Sequence, residues 1–233
     1  MLLFLGDSCP LGCELELELS ELMPHDYDAS SVYFRGCELP AEPRFRADLA
    51  YPQLVATILN QPFWNLGMGG ASYDQVLFNF QKFLKQHDMP NDTTVFLNLV
   101  NFFRRTLYDS FSYKMYTFFP EPRGEHTPQM CYDSEDLLMR TAPSHAVQQI
   151  NHIYEICKSR NWNFVFHGVG YELCNEELEA IDAICEIPAE YRVSELWKDT
   201  WNITKQELWF GCHPSVKGHE KIANYLITHC EAQ

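Results

Sequence analysis

The sequence predicts an α/β domain in which helices cover a mostly parallel sheet. Short apolar runs alternate with longer amphipathic stretches along the chain, a pattern typical of parallel strands joined by helices. The length of 233 residues suits one such domain, and the sequence shows no repeat, linker or low-complexity tract. We therefore expect one domain over residues 1–233, with an insertion at about residues 104–143.

The individual elements are predicted from apolar periodicity and from the residues that begin helices. Strands are expected where apolar and β-branched residues run together, and helices where apolar residues recur every three or four positions. The predicted strands are residues 2–5, 63–66, 93–100 and 163–167. The predicted helices are residues 51–59, 74–87 with Asp74 as N-cap, 144–160 with Ser144 as N-cap, 176–185, and 215–230 with Ser215 as N-cap.

Residues 104–143 differ from the rest of the chain. They are rich in Tyr, Phe, Pro and Met and show no clean helical or strand period. We interpret them as an insertion between core elements that forms a lid or a partner surface. A long loop packed on the body of the domain is the alternative.

Composition excludes several classes of function. The chain has 17 basic against 32 acidic residues, a net charge of −15, which repels phosphate backbones and argues against nucleic-acid binding. No apolar run approaches the roughly 20 residues of a membrane span, and the opening run is too short for a signal peptide. The nine cysteines include no C-x-x-C pair, and an odd count without a secretion signal favours reduced thiols and a cytoplasmic protein. Because the histidines and cysteines lack zinc-like spacing, we expect no metal or cofactor.

A tight polar turn directly follows the first strand. Residues 2–5 run into Gly6-Asp7-Ser8, and ligands of parallel sheets bind where strands end at their carboxyl edges. Gly6 allows the sharp exit because it has no Cβ, and the backbone N–H of Ser8 can face a developing oxyanion. Three such residues alone also occur in ordinary turns.

The second candidate group lies near the other end of the chain. His213 precedes Pro214, which restricts it to extended backbone, and Ser215 can cap the helix that follows. A neutral imidazole held rigidly beside a hydroxyl is the arrangement that a general base needs. The two motifs together are much rarer by chance than either one.

With these residues in place, the chain resembles the SGNH hydrolases, also called the GDSL esterase and lipase superfamily. The resemblance runs through the Gly-Asp-Ser motif ending at Ser8, the glycine cluster ending at Gly70, Asn101, and the His-Pro-Ser motif beginning at His213. It implies a flavodoxin-like three-layer αβα sandwich and hydrolysis of an ester. A looser resemblance to hydrolase-like proteins of tailed bacteriophages rests on the Tyr-Pro-Gln-Leu-Val-Ala run at residues 51–56.

The resemblance also implies roles for individual residues. Ser8 would attack the carbonyl of a small-molecule or carbohydrate O-acyl ester, while His213 takes and returns its proton. The backbone N–H groups of Ser8 and Gly70 and the side-chain amide of Asn101 would stabilise the oxyanion. Arg104 follows Asn101 and is expected to contact an anionic group of the substrate, or alternatively to be solvated at a helix end.

The chain departs from the family pattern beside the base. The family has an aspartate three residues before the histidine, where this chain has Phe210, and the third block lacks its usual glycine and aspartate around Asn101. A Ser-His dyad and recruitment of Glu207 both stay open, as does a catalytically weak or inactive module that binds or has a structural role. His167 ends a predicted strand and either lines the pocket or is a satisfied structural histidine.

Overall fold

The structure is a computed structural model in which the core of the chain surrounds one sheet. The described residues are 1–7, 10, 34–35, 49–68, 71–100, 102, 104–109, 114–118, 135–168, 175–193, 209–210 and 213–231. None of the described helices is both long and apolar enough to cross a membrane.

The central sheet has the strand order of a flavodoxin-like domain. In chain order the described strands are β1 (Leu2–Leu5), β2 (Phe34–Arg35), β3 (Phe63–Asn65), β4 (Thr94–Asn98), β5 (Arg105–Asp109), β6 (Lys114–Phe118), β7 (Asn163–His167), β8 (Arg192–Val193), β9 (Trp209–Phe210) and β10 (His213–Pro214). Strands β3, β1, β4, β7 and β8 lie side by side in parallel, and β2 runs antiparallel on the outer side of β3. Numbered along the chain, the parallel strands follow the flavodoxin order 2-1-3-4-5.

Helices cover both faces of this sheet. They are α1 (Tyr51–Ile58), α2 (Tyr73–Gln86), α3 (Glu135–Ser159), α4 (Asn175–Ile184) and α5 (Val216–Glu231). Helices α1 and α5 pack on one face, and α2, α3 and α4 contribute to the core on the other. The predicted three-layer αβα sandwich with a mostly parallel sheet is therefore confirmed.

Alternation along the strands builds two separate cores. In β1, Leu2 and Phe4 face α1 and α5, whereas Leu3 and Leu5 face the opposite helices. All four side chains are buried, and a fully buried Leu or Phe contributes roughly 1.5–3 kcal/mol of transfer free energy. Burial on both faces explains why this strand reads as a continuous apolar run.

Two predicted helix starts are wrong. Ser72, not Asp74, is the N-cap of α2, and its hydroxyl accepts a hydrogen bond from the Gln75 N–H at 3.4 Å. Asp74 lies within the first turn, where its carboxylate contacts Nε2 of His145 on α3 at 2.6 Å. Helix α3 begins at Glu135 instead of Ser144, so Pro143 lies inside it. Proline removes one N–H donor without ending every helix, and packing of the buried α3 side chains overrides that local preference.

The insertion contains a hairpin that the sequence analysis did not predict. Strands β5 and β6 pair antiparallel, from Arg105 opposite Phe118 to Asp109 opposite Lys114. The intervening residues 110–113 and the following residues 119–134 lie outside the described part of the chain. A role of this insertion as a lid or partner surface stays a prediction.

Candidate active site

Polar side chains gather where the central strands end, a region called here the carboxyl rim and comprising Gly6, Asp7, Asn98 and His167. Leu5 at the end of β1 is in register with Leu97, and Asn98 at the end of β4 is in register with His167. The strand order reverses between β1 and β4, and such a switch point is where flavodoxin-like folds bind ligands. The carboxyl rim is therefore the natural position for a site.

Glycine is required at the start of the predicted nucleophile turn. Gly6 has a φ of +151°, and a Cβ at this position would lie 2.7 Å from Cβ of Asn98. Its carbonyl accepts a hydrogen bond from the Met68 N–H at 3.1 Å. On the far side of the turn, the Asn65 side-chain amide donates to the Pro10 carbonyl at 2.6 Å. Ser8 itself lies outside the described residues, and these contacts hold the backbone on both sides of it.

The Asp7 carboxylate joins the turn to two other parts of the chain. Its Oδ1 accepts a hydrogen bond from Nδ2 of Asn98 at 3.3 Å, and its Oδ2 forms an ion pair with Nη1 of Arg104 at 3.1 Å. The same nitrogen of Arg104 lies 3.5 Å from the carbonyl oxygen of Ala71. Asp7 therefore receives side-chain donors in addition to any backbone groups of its turn.

The glycine cluster approaches the nucleophile turn closely. A Cβ on Gly67 would lie 2.9 Å from the Asp7 carbonyl oxygen, and the Gly67 N–H donates to Oδ1 of Asn65 at 3.0 Å. The Ala71 N–H donates to the Met68 carbonyl at 3.1 Å. Gly70, the predicted oxyanion donor, lies outside the described residues, between these two held positions.

The third predicted donor segment is described only around its asparagine. Asn101 lies outside the described residues. Before it, the Val100 N–H donates to the Tyr73 hydroxyl at 2.9 Å, and after it, Phe102 is buried with its ring edge-on to Tyr73 at 5.5 Å. Burial raises the pKa of Tyr73 well above its usual value, so its hydroxyl stays protonated. Phe102 belongs to the core on the α2 and α3 side.

The predicted base lies in a short hairpin immediately before α5. Strands β9 and β10 pair antiparallel, with His213 opposite Phe210, and the His213 residue is partly buried. The hydroxyl of Ser215 accepts a hydrogen bond from the Gly218 N–H at 3.1 Å, which confirms the predicted cap of α5. The position three residues before the base, where the family has its acid, is thus the cross-strand neighbour of the base.

Aromatic and imidazole rings connect the base to the carboxyl rim. His219 on α5 is fully buried, and its Nδ1 accepts a hydrogen bond from the Tyr51 N–H at 3.2 Å. The Tyr51 ring stacks on His219 at 5.8 Å and meets His167 edge-on at 5.4 Å. Burial, with a smaller contribution from the nearby His213, lowers the pKa of His219 to about 3. His213 lies in β10, the strand that directly precedes α5.

The His167 side chain packs in the core, but no hydrogen bond to the described residues fixes its ring. It is fully buried, and within the described structure neither of its ring nitrogens has a hydrogen-bond partner. Burial lowers its pKa to about 3, so the ring is neutral at physiological pH. The prediction of a satisfied histidine is wrong in this respect, and the ring is instead in an edge-on contact with Tyr51.

The structure reveals rim residues that the sequence analysis missed. Asn98 and Asn65 each end an apolar strand and hold the nucleophile turn, and Tyr51 links His167 to His219. A polar residue closing a buried apolar run was the available signal for both asparagines. In the described part of the chain, no group of three or more His, Cys, Asp or Glu side chains is arranged to hold a metal ion.

Comparisons with known proteins support the fold. The chain matches no protein-family model, and no curated protein matches it in sequence. Among solved structures it is similar to a carbohydrate esterase whose active site is described as having divergent catalytic and non-catalytic binding functions, with a TM-score of 0.53 and 14% identity. It is also similar to a family two carbohydrate esterase from Clostridium thermocellum in complex with cellohexaose, with a TM-score of 0.50 and 13% identity.

The likeness extends over nearly the whole of this chain but over only part of the two esterases. The two likenesses cover 100% and 99% of this chain, but only 68% and 63% of the length of the two esterases. At these identities the likeness concerns the fold, which is one that carbohydrate esterases use. Activity and substrate at the carboxyl rim have to be argued from this chain's own residues.

Proposed function

We propose that the protein is a serine hydrolase that cleaves O-acyl esters, with Ser8 as nucleophile and His213 as general base. The backbone N–H groups of Ser8 and Gly70 and the side-chain amide of Asn101 stabilise the oxyanion in this proposal. His213 accepts the proton of the serine hydroxyl and returns it to the alcohol that leaves.

One observation carries the proposal: a continuous series of contacts joins the neighbourhood of the nucleophile to that of the base. Asp7, next to Ser8, accepts a hydrogen bond from Asn98, which is in register with His167. His167 contacts Tyr51, and Tyr51 stacks on His219, which lies on the helix that directly follows the strand containing His213. These contacts support the proposal that segments more than 200 positions apart in the chain meet at one rim of the sheet.

The proposed substrate is a small-molecule or carbohydrate ester. Carbohydrate esterases share the fold, and one of those compared holds cellohexaose. A short acyl group such as acetate is the simplest substrate that the proposed dyad would attack. A cytoplasmic location and a bacteriophage origin stay predictions from the sequence.

A non-catalytic binding module is the second candidate, and one observation favours it. Phe210 is the cross-strand neighbour of His213 at the position of the family's acid. Loss of the acid that orients and stabilises the imidazole costs about 10⁴ in rate in the chymotrypsin triad. A site weakened to that extent would still bind a carbohydrate.

Esterase assays with matched variants test the proposal. Wild type, S8A and H213A are assayed for acetate release from p-nitrophenyl acetate and from peracetylated cellobiose, with S159A as a control on the exposed end of α3. We expect S8A and H213A to lose about 10³-fold or more of kcat/KM. S159A should match wild type. Equal turnover by S8A and wild type would exclude Ser8 as the nucleophile.

An active-site probe separates the two candidates. A fluorophosphonate should label wild type at Ser8, as mass spectrometry of the labelled peptide would show, and should leave S8A unlabelled. Absence of both labelling and turnover, together with calorimetric binding of cello-oligosaccharides, would favour the binding module instead.

A further inference from the structure

Arg104 joins the two segments that flank the proposed oxyanion hole. Its Nη1 lies 3.1 Å from Oδ2 of Asp7 and 3.5 Å from the carbonyl oxygen of Ala71. Asp7 directly precedes Ser8, and Ala71 directly follows Gly70. We infer that Arg104 is a positioning residue and does not bind the substrate. It holds the nucleophile turn (residues 6–8) and the glycine cluster (residues 67–70) at a set separation.

The location of the charge supports this role over substrate binding. The side chains of Arg104 and Asp7 are 22% and 13% exposed, so the ion pair is mostly withdrawn from water. A partly desolvated, charge-assisted hydrogen bond is stronger and more directional than one at the surface. The positive charge of Arg104 is already opposed by Asp7, which leaves little net attraction for an anionic substrate group.

Two other contacts between the described parts of these segments lie on either side of this point. Met68 donates to Gly6, and Asn65 donates to Pro10, so the segments are joined before Gly70 and after Ser8. Arg104 adds the link between Asp7 and Ala71. The contact of Asp7 with Asn98 anchors the same carboxylate to β4.

The consequence for catalysis rests on the proposed function. Backbone donors stabilise an oxyanion only when both point at the same position, and a displacement of about 1 Å costs up to 10²-fold in rate. Loss of Arg104 should therefore lower kcat more than it raises KM, even for a substrate without charge.

The test compares R104A, R104K, D7N and the double variant R104A/D7N with wild type. R160A is the control, because Arg160 is exposed in the turn directly after α3, against Trp162. Neutral p-nitrophenyl acetate and the anionic p-nitrophenyl hemisuccinate are the substrates. Chemical rescue of R104A by millimolar guanidinium is measured alongside. Hydrogen exchange of the Met68 and Ala71 amides reports the positions of the two segments without requiring activity.

For R104A we expect kcat on both esters to fall by about 10- to 100-fold with KM nearly unchanged. R104A/D7N should be no worse than the poorer single variant, because both changes remove one interaction. R104K and added guanidinium should restore part of the rate, and exchange at Ala71 should accelerate in R104A. R160A should behave as wild type.

Two outcomes would overturn the inference. A rise in KM confined to the hemisuccinate, with kcat and amide exchange unchanged, would make Arg104 a substrate-binding residue. Fully multiplicative losses in R104A and D7N would show that the two side chains act separately. If wild type itself shows neither turnover nor labelling of Ser8, the proposed function fails, and the exchange data alone decide whether Arg104 holds the two segments.

Discussion

On the β1 side of the carboxyl rim, Asp7 holds Asn98 and Arg104 through hydrogen bonds of 3.3 and 3.1 Å, whereas on the β7 side Tyr51 holds His167 and His219 through ring contacts of 5.4 and 5.8 Å. The first region uses a charged carboxylate with donors on two sides. The second buries two imidazoles that are neutral because burial lowers the pKa of each to about 3.

The β1 and β7 sides of the carboxyl rim should therefore respond differently to a change in charge. The nucleophile side depends on the pairing of the Asp7 carboxylate with Asn98 and Arg104, since a carboxylate of low exposure is destabilised when one of its donors is removed. The base side is stable while its imidazoles are neutral, since protonation would place charge in an apolar core. Changes of pH and of single charges should therefore distinguish the two regions.

The largest expected effect is acid destabilisation through the base side. The pKa values of His167 and His219 in the folded state lie well below the ordinary 6.5. The unfolded chain therefore binds protons first as pH falls, so their contribution is complete above about pH 6.5 and is lost below it. Two such groups predict a loss of about 5 kcal/mol in the free energy of unfolding by about pH 4.5.

Urea unfolding of H167F over a range of pH checks this prediction. Replacing His167 by phenylalanine should remove about half of the pH dependence and leave stability at about pH 8 equal or higher, since no hydrogen bond of the described ring is lost. The exposed His152 provides the control variant H152Q, which should retain the wild-type slope. An unchanged slope in H167F would contradict the assignment.

The second-largest expected effect is a gain in rate from an acid placed beside His213. Phe210 and His213 are cross-strand partners, and Cβ atoms of such pairs lie about 4.5–5.5 Å apart. F210D should therefore bring a carboxylate to the imidazole and raise kcat/KM on p-nitrophenyl acetate by about 10²-fold, a fraction of what a triad acid provides.

The neighbouring strand position supplies the control for F210D. Trp209 pairs with Pro214, and successive positions of a strand belong to opposite faces. W209D should give no gain in rate. A gain of equal size in both variants would point to a general effect of added negative charge.

The third effect concerns charge on the nucleophile side. N98D replaces the donor to Asp7 by a second carboxylate, and like charges at hydrogen-bond distance repel. We expect a loss of about 2 kcal/mol in the free energy of unfolding at about pH 8, which recovers partly towards about pH 5 as one carboxyl is protonated. The histidines of the base side destabilise both proteins as pH falls, so the recovery appears only in the difference between N98D and wild type. Denaturation of both proteins at the two pH values measures this difference in the free energy of unfolding.

The smallest expected effect compares two serine caps. The Ser215 hydroxyl accepts from Gly218 at 3.1 Å, and the Ser72 hydroxyl accepts from Gln75 at 3.4 Å. S215A should cost about 1 kcal/mol in the free energy of unfolding, and S72A somewhat less because its hydrogen bond is longer. Thermal unfolding of both variants would check this order. S215A should also lower esterase activity, because Ser215 lies between α5 and the hairpin that contains His213.

Prediction from sequence succeeded where one local pattern decides the structure. Strands β1 and β7 were predicted with the observed bounds, since their buried apolar runs have no other stable arrangement than a central strand. The cap of α5 by Ser215 followed from the residue type and the start of an amphipathic stretch. The β5–β6 hairpin was missed because neither of its short strands carries a strong period.

The candidate site was predicted unevenly. The structure describes the positions of His213 and Arg104, whose roles stay predictions. Ser8, Gly70 and Asn101 stay predictions between positions that the structure describes. The side-chain partners of Asp7 were not predictable, because Asn98 and Arg104 are separated from it by 91 and 97 positions. The end of a buried apolar run marks Asn98 as a candidate, but no local signal identifies the group with which it pairs.

The fold class and the candidate site motifs could be predicted from the sequence alone. Both the buried strands and the turn at Gly6 depend on residues that are neighbours in the chain. The pairing of side chains from distant parts of the chain depended on the tertiary structure. It paired Asp7 with Arg104, stacked Tyr51 on His219, and placed Phe210 opposite His213. The physical reason is that apolar burial is non-directional and can be read from composition, whereas a hydrogen bond or ion pair depends on distances that the packed sheet and helices set.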